Sequence, residues 1–366
     1  MQTVVLADAK YRSAIAAART LGRAGCNVIA LQGGAGSPPP VFSSRYVSEC
    51  CRLPAEPDEV EYSGQLLDML AGKEHPVLFC TGAATLNTVS RSIETFSEVC
   101  DFLISPQEIL DQLNDKEIVH RRCAELGIPV PRQFDGEPDT YPVVIKPHCG
   151  EKLGLKAKYR YAVAQDLEEY RAYIADMEKY DPQPIVQERV SGSGAGVSLL
   201  LDRDSRLVCA LCHRRIREYP ISGGPSTCCE SFYDAEMIEQ AYCLLESFGF
   251  TGMAMVEFKG EYVLEVNPRV WGSFPMTKAS GSPFAHLYAR AAAGERVSYD
   301  PHDYKTGVKM RFLLNDTAAM LAYLRHGQPG QFFSGLADCF RAKEALWDWN
   351  DPAPMLKYLL GALFRR

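Results

Sequence analysis

In the second half of the chain two adjacent strand-like runs read MVEFKGEYVLEVNPR, from Met255 to Arg269, and carry Glu257, Glu265, Asn267 and Arg269. Side chains two apart on a strand share a face, so Glu265 and Asn267 can reach the same ion. Mg²⁺ takes oxygen ligands in octahedral geometry and usually keeps phosphate oxygens among them, so carboxylates at strand ends suit it. Arg269 follows on the same side, placed to neutralise a transferring phosphoryl group. Glu257 can join only if it faces the same way as Glu265. A two-residue loop at Gly260-Glu261 would set Glu257 opposite Leu264. We therefore predict an odd loop or a bulge at residues 260–262, which brings the two glutamates together.

A second pattern invites a different chemistry. CALCH, from Cys209 to His213, is the C-x-x-C-H spacing of c-type haem attachment. That attachment needs export, and MQTVVLADAK has no basic region and only a short apolar run before Asp8 and Lys10. The 13 cysteines are odd in number and lack framework spacing, which points to reduced thiols in a cytoplasmic protein. No second Cys/His pair follows at finger-like spacing, so zinc is not supported either. The alternation of Val208, Ala210 and Cys212 reads as strand, with Cys209, Cys212 and His213 ordinary members of it. Arg215 and Arg217 alternate with Ile216 and are expected on one face.

The elements that must position these residues come from the rest of the chain. TVVLAD, NVIAL and HPVLFC are short strands separated by helical stretches such as residues 14–24, and FLIS, Phe102 to Ser105, reads as a further strand. The expectation is an open parallel sheet covered by helices, with ligands beyond the carboxyl ends of its strands. No G-x-G-x-x-G joins the first strand to its helix, so a dinucleotide is not supported, and GGAGSPPP is a loop. From Ser105 the texture changes: a Ser-Pro helix start, a helix from about Asp115, the strand ending in Lys146, a helix in DLEEYRAYIADMEKY, and PIVQERV with Gln187, Glu188 and Val190. A hairpin at residues 197–217, a helix at 234–248 and the paired strands follow, then helices to the end. The 46% hydrophobic and 23% charged content is that of a globular protein, and the net charge of −7 with dispersed basic residues excludes nucleic acid as the implied partner. No apolar run reaches the roughly 18 residues of a membrane span. The last run, MLKYLLGALFRR, reads either as an amphipathic membrane-surface helix with a basic end or as a helix packed on the body of the protein.

Taken in order, Lys146 in VVIKP, the QERV strand and EVNPR after a strand carrying another Glu resemble the ATP-grasp superfamily, particularly its carboxylate–amine ligase branch. The resemblance covers roughly residues 105–293. It implies a mixed α/β and α+β fold: an N-terminal open parallel βα domain (1–105), two α+β subdomains clasping ATP (106–186 and 187–297) and a helical C-terminal tail (298–366). It further implies that Lys116 and Lys146 hold nucleotide phosphates, that Gln187, Glu188 and Val190 contact adenine, that Glu257, Glu265 and Asn267 hold Mg²⁺, and that Arg215, Arg217 and Arg269 serve the acyl phosphate or a substrate carboxylate. ATP and Mg²⁺ are then the cofactors, and the partners a small-molecule carboxylate and an amine, such as an amino acid; a homodimer stays open. Two departures stand out: the loop after Lys146, HCGEKLGLKAK, has only Gly150 and Gly154, with Cys149, Lys152 and Lys156 among them, and GSGAG after the hinge supplies no acidic residue for a ribose.

Overall fold

A computed structural model of the chain describes residues 1–57, 59–148, 161–221 and 224–364. The first hundred residues fold as β1 (Thr3–Ala7), α1 (Arg12–Arg23), β2 (Asn27–Gly33), β3 (Glu49–Leu53), α2 (Val60–Ala71), β4 (Val77–Cys80), α3 (Ala83–Ser90) and α4 (Ile93–Ser97). The strands form a parallel sheet in the order β3-β2-β1-β4. Alternation decides which helix covers which face: Val4 and Leu6 join the core around α1, while Val5 and Ala7 join Tyr62, Leu66 and Leu70 of α2. Edge strand β3, ECCRL, has mostly exposed side chains and gives no alternating signal. The strand expected at Phe102 to Ser105 does not form. Only Asp101 bridges to Val77; beyond it the Leu103 N–H donates to Tyr288 Oη (3.1 Å) and the Ser105 side-chain Oγ donates to the Thr251 carbonyl (3.0 Å), so this segment is tied to the next part of the molecule.

The chain continues through α5 (Gln107–Asn114) and α6 (Lys116–Glu125) into a small antiparallel sheet of β5 (Val143–Lys146), β6 (Ala162–Ala164) and β7 (Ile185–Glu188), ordered β6-β5-β7, with α7 (Leu167–Met177) against it. The carboxylate of Asp115 accepts the N–H groups of Glu117 and Ile118, which caps α6 and fixes Lys116 at its first turn. Cys149, Gly150, Lys152, Gly154 and Lys156 lie outside the described residues.

A larger sheet then runs β12-β11-β8-β9-β10-β13-β14. Its elements are β8 (Gly194–Leu201), β9 (Leu207–Glu218), β10 (Ser226–Phe232), α8 (Ala235–Glu246), β11 (Gly252–Lys259), β12 (Tyr262–Asn267), α9 (Pro275–Ser280), α10 (Phe284–Ala292), β13 (Lys309–Arg311), α11 (Leu313–Arg325), α12 (Pro329–Arg341), β14 (Lys343–Glu344) and α13 (Ala353–Phe364). The last seventy residues are thus more than helices, because β13 and β14 extend the central sheet. Cys209 and Cys212 are buried in different clusters on the two sides of this sheet, with thiol pKa values both pushed up to about 12 by burial. They cannot share a metal or a haem. Among the described residues no helix is long and apolar enough to cross a membrane.

Arg217 departs from its expected place. Arg215 pairs with Cys229 and Arg217 with the adjacent Cys228, leaving Ile216 as a bulge. Neighbouring residues of β10 face opposite ways, so the two arginines part. Arg217 is buried, with two bonds to Asp316 of α11 (2.8 and 2.9 Å) and one to Asp338 of α12 (2.7 Å), and Lys309 completes the cluster at 2.7 Å from Asp338. It ties α11 and α12 to the sheet. Arg217→Met strips a buried charge from two carboxylates and should cost about 3–5 kcal/mol in chemical denaturation. A variant of normal stability that had lost activity would instead return Arg217 to the site.

Candidate active site

The site is built on the β11–β12 hairpin. Lys259 pairs with Tyr262 across a two-residue turn in which Gly260 adopts φ 59°, and Phe258 pairs with Val263. The next pair is Glu257 with Glu265, so Leu264 is an extra residue in β12. The bulge expected at residues 260–262 is therefore at Leu264, with the expected consequence: the two glutamates stand opposite each other. A bulged residue loses its ladder partner. The Leu264 carbonyl is met instead by His120 Nε2 at 3.0 Å, and His120 Nδ1 lies 2.7 Å from Gln187 Nε2. A carbonyl only accepts, so Nε2 carries the proton and Nδ1 accepts from the Gln187 amide. Burial, and then the nearby Lys146, push the His120 pKa down to about 4, which keeps the ring neutral.

Two carboxylates directly opposed on neighbouring strands repel. Cations offset this from several elements. Lys116 Nζ lies 3.1 Å from Glu265 Oε2, and Arg215 Nη2 lies 3.5 Å from Glu257 Oε2. Asn267 Nδ2 donates to Glu257 Oε1 (3.1 Å), while Arg269 Nη2 donates to Asn267 Oδ1 (3.2 Å). Lys146 ends β5 on the small sheet; burial and the charge of Lys116 lower its pKa to about 8, against the pull of Glu265 and Glu257. The carboxylates divide in consequence. Burial, then Glu265, pushes Glu257 up to about 7. Burial would raise Glu265 too, but Lys116, Lys146 and Arg269 outweigh it and hold its pKa below the ordinary glutamate value.

Among the described residues no three His, Cys, Asp or Glu side chains stand together to hold a metal on their own. Two carboxylates and one amide oxygen are an incomplete oxygen shell, of the kind Mg²⁺ completes with phosphate and water. The surrounding lysines and arginines suit the same polyanion, so the donor set fits a magnesium nucleotide.

The structure brings Lys116, Lys146, Arg215, Glu257, Glu265, Asn267 and Arg269 together and leaves other expected residues apart. Gln187 Nε2 donates to His120. Glu188 Oε1 accepts the Arg132 N–H (2.9 Å), and its own N–H donates to the Arg132 carbonyl (2.9 Å), so its side chain holds the neighbouring segment. Val190 is half-buried just after β7. Arg215 also donates to Ser226 Oγ (3.1 Å) and Glu218 (2.9 Å), and with Gly196, His213 and Glu257 it bounds a small cleft. A Cβ on Gly196 would meet His213 Cε1 at 2.5 Å, so this position must be glycine for the imidazole to lie there. Trp271 is core, packed edge-on against Phe274 and Phe284. Sequence reasoning passed over His120, although it lies one helical turn after Lys116 and so on the same face of α6.

The ATP-grasp domain family matches residues 113–273, a span that holds every residue gathered here. This stretch is an ATP-grasp domain. The chain is similar in structure to the biotin carboxylase domain of Hydrogenobacter thermophilus 2-oxoglutarate carboxylase, solved with MgADP, ADP and bicarbonate: TM-score 0.63, 14% identity, 84% of this chain and 73% of that one. It is similar also to Staphylococcus aureus N5-carboxyaminoimidazole synthetase complexed with ADP (TM-score 0.61, 13% identity, 81% and 79%) and to Anaerococcus prevotii phosphoribosylglycinamide synthetase (TM-score 0.58, 14% identity, 84% and 79%). At these identities the likeness is one of fold. No curated protein matches the sequence.

His120 gives the domain an acid-sensitive joint. Its folded pKa is depressed below the usual 6.5, so its contribution to stability is full above that value and is lost as pH falls toward about 4. Urea midpoints measured from pH 7 to 4.5 should fall less steeply for His120→Gln than for the parent chain.

Proposed function

We propose that the chain is an ATP-dependent ligase that activates a small-molecule carboxylate as an acyl phosphate for attack by an amine, releasing ADP and phosphate. The observation that carries this reading is the facing pair Glu257 and Glu265, ringed by Lys116, Lys146, Arg215 and Arg269. Mg²⁺ bound with ATP would screen the phosphate charge and draw electron density from the transferring group. Glu257, Glu265 and Asn267 would hold it. Lys146, at the end of the small sheet, and Lys116 neutralise phosphate oxygens, which requires Lys116 to exchange its contact with Glu265 for one to the nucleotide. The subdomains at residues 106–186 and 187–297 thus clasp ATP between the Lys146 strand and the glutamate hairpin, with Gln187, Glu188 and Val190 at the hinge.

A substrate carboxylate oxygen attacks the γ-phosphorus and ADP leaves. The amine nitrogen then attacks the acyl carbon, the carbon–oxygen bond to phosphate breaks, and the nitrogen gives up a proton. Arg269 would meet the phosphoryl oxygens and Arg215 the acyl group. The protein's work is positioning and charge neutralisation. ATP-dependent carboxylation is the second reading, favoured by the likeness to a domain solved with bicarbonate. A nucleotide-binding regulator without catalysis is the third reading, and ADP release that depends on a carboxylate and an amine separates it from the first.

Incubation with ATP and Mg²⁺ against pools of amino acids and small carboxylates should yield ADP, phosphate and a condensed product. Product that requires bicarbonate would move the reaction to carboxylation, and AMP would contradict acyl-phosphate chemistry. Lys146→Ala should weaken ATP binding by about 10–100-fold in calorimetry, the scale of lost hydrogen bonds to charged groups. Glu265→Gln keeps the shape and lowers the charge, so ADP production should drop about 10²-fold or more.

A further inference from the structure

Helix α13 is covered on one side only. Its twelve residues include a single charge, Lys357. Met355 is buried in the core, with Tyr358 and Leu359 packed against it. Leu356, Leu360 and Leu363, spaced i, i+4, i+7, form another stripe that is 49, 52 and 74% exposed. A helix apolar all round is expected to be buried all round. Just before it Trp349 is 85% exposed, with its ring edge-on to Trp347 at 5.0 Å.

Charge selects the missing cover. Between Leu313 and Phe364 the acidic side chains are Asp316, Asp338, Glu344, Asp348 and Asp351, and none is exposed. Asp316 and Asp338 hold Arg217, Asp348 takes Lys278 at 2.8 Å, and Asp351 takes the buried Arg19 at 2.9 Å. Glu344 turns inward to cap the N–H groups of Leu346 and Trp347. The basic side chains of the same stretch, Arg325, Arg341, Lys343 and Lys357, are all exposed. Two copies of such a surface would set cation against cation. Exposed leucines around the exposed Lys357, with an exposed tryptophan just before the helix, are instead the makings of a helix that lies among anionic lipid headgroups.

We propose that the segment from Trp349 through α13 docks on an anionic phospholipid surface. Leu356, Leu360 and Leu363 enter the acyl boundary, Trp349 sits at headgroup level, and lipid phosphates are met by Lys357 and by Lys343, whose Nζ exchanges its bond to the Ala279 carbonyl (2.7 Å) for them. At twelve residues the helix lies on the bilayer and does not cross it.

The test is sedimentation of the full chain with vesicles of phosphatidylcholine alone or mixed with phosphatidylglycerol. Binding should be confined largely to the phosphatidylglycerol vesicles, weaken with added salt, and shift Trp349 emission to the blue, a shift absent in Trp349→Phe. Leu360→Glu with Leu363→Glu should abolish binding, and the milder Leu360→Ser with Leu363→Ser should weaken it. Lys343→Glu with Lys357→Glu should reduce it by about ten-fold or more. All should melt at the parent temperature, since the altered side chains are exposed. No binding to phosphatidylglycerol vesicles, or binding indifferent to the leucine pair, overturns the proposal. So does a concentration-dependent dimer that Leu360→Glu dissolves, which would name a second copy as the cover.

Discussion

One extra residue in β12 carries the arrangement of the whole site. Without Leu264 as a bulge, the two-residue turn at Gly260 and Glu261 would place Glu257 and Glu265 on opposite faces of the sheet. The bulge leaves a carbonyl without a ladder partner, and the structure answers with a neutral histidine held by a buried amide. His120 comes from α6 and Gln187 from β7, so a local irregularity in the large sheet is braced by a helix and by the small sheet. The same helix supplies Lys116. Register, bracing and charge are therefore one structure: what keeps the glutamates together also brings the first lysine to them.

Buried charge organises the rest of the molecule in a similar way. Arg217 joins α11 and α12 to the sheet through Asp316 and Asp338, and Arg19 joins α1 to the Asp351 loop through Asp351 and the Leu346 carbonyl. In both arginines all three guanidinium nitrogens have an acceptor, the kind of hydrogen bonding under which a buried ion pair is tolerated. The cluster around Glu257 differs. Its cations hold the carboxylates at 3.1 and 3.5 Å, and the two glutamates divide the strain by shifting their pKa values in opposite directions. A divalent cation held between the two glutamates would draw the raised Glu257 back down, which is the electrostatic sense in which this site is incomplete and the Arg217 cluster is complete.

The legible parts of the sequence were those with a regular period. The alternation of AMVEFKGEYVLEVNPR led to the hairpin, to the facing glutamates and to Asn267 beside them, and the strand ending in Lys146 was equally plain. Irregularities were not legible. Ile216 and Leu264 look like any strand residues, yet one bulge separates Arg217 from Arg215 and the other moves the expected turn anomaly toward the middle of β12. Strands β13 and β14 are three and two residues long, too short to show a period. The roles of Gln187 and Glu188 depend on partners 67 and 56 residues away, and no local pattern encodes those contacts.

The central claim is that Glu257 and Glu265 form one oxygen-ligand site for a metal nucleotide. Electron paramagnetic resonance of Mn²⁺ with ADP and the full chain tests it most directly, because the free-ion signal falls as the metal is bound. The account predicts ADP-dependent loss of that signal with the parent protein, and its return when Glu257→Gln and Glu265→Gln are combined in a chain that still melts normally. Undiminished Mn²⁺ binding by that folded double variant would contradict it.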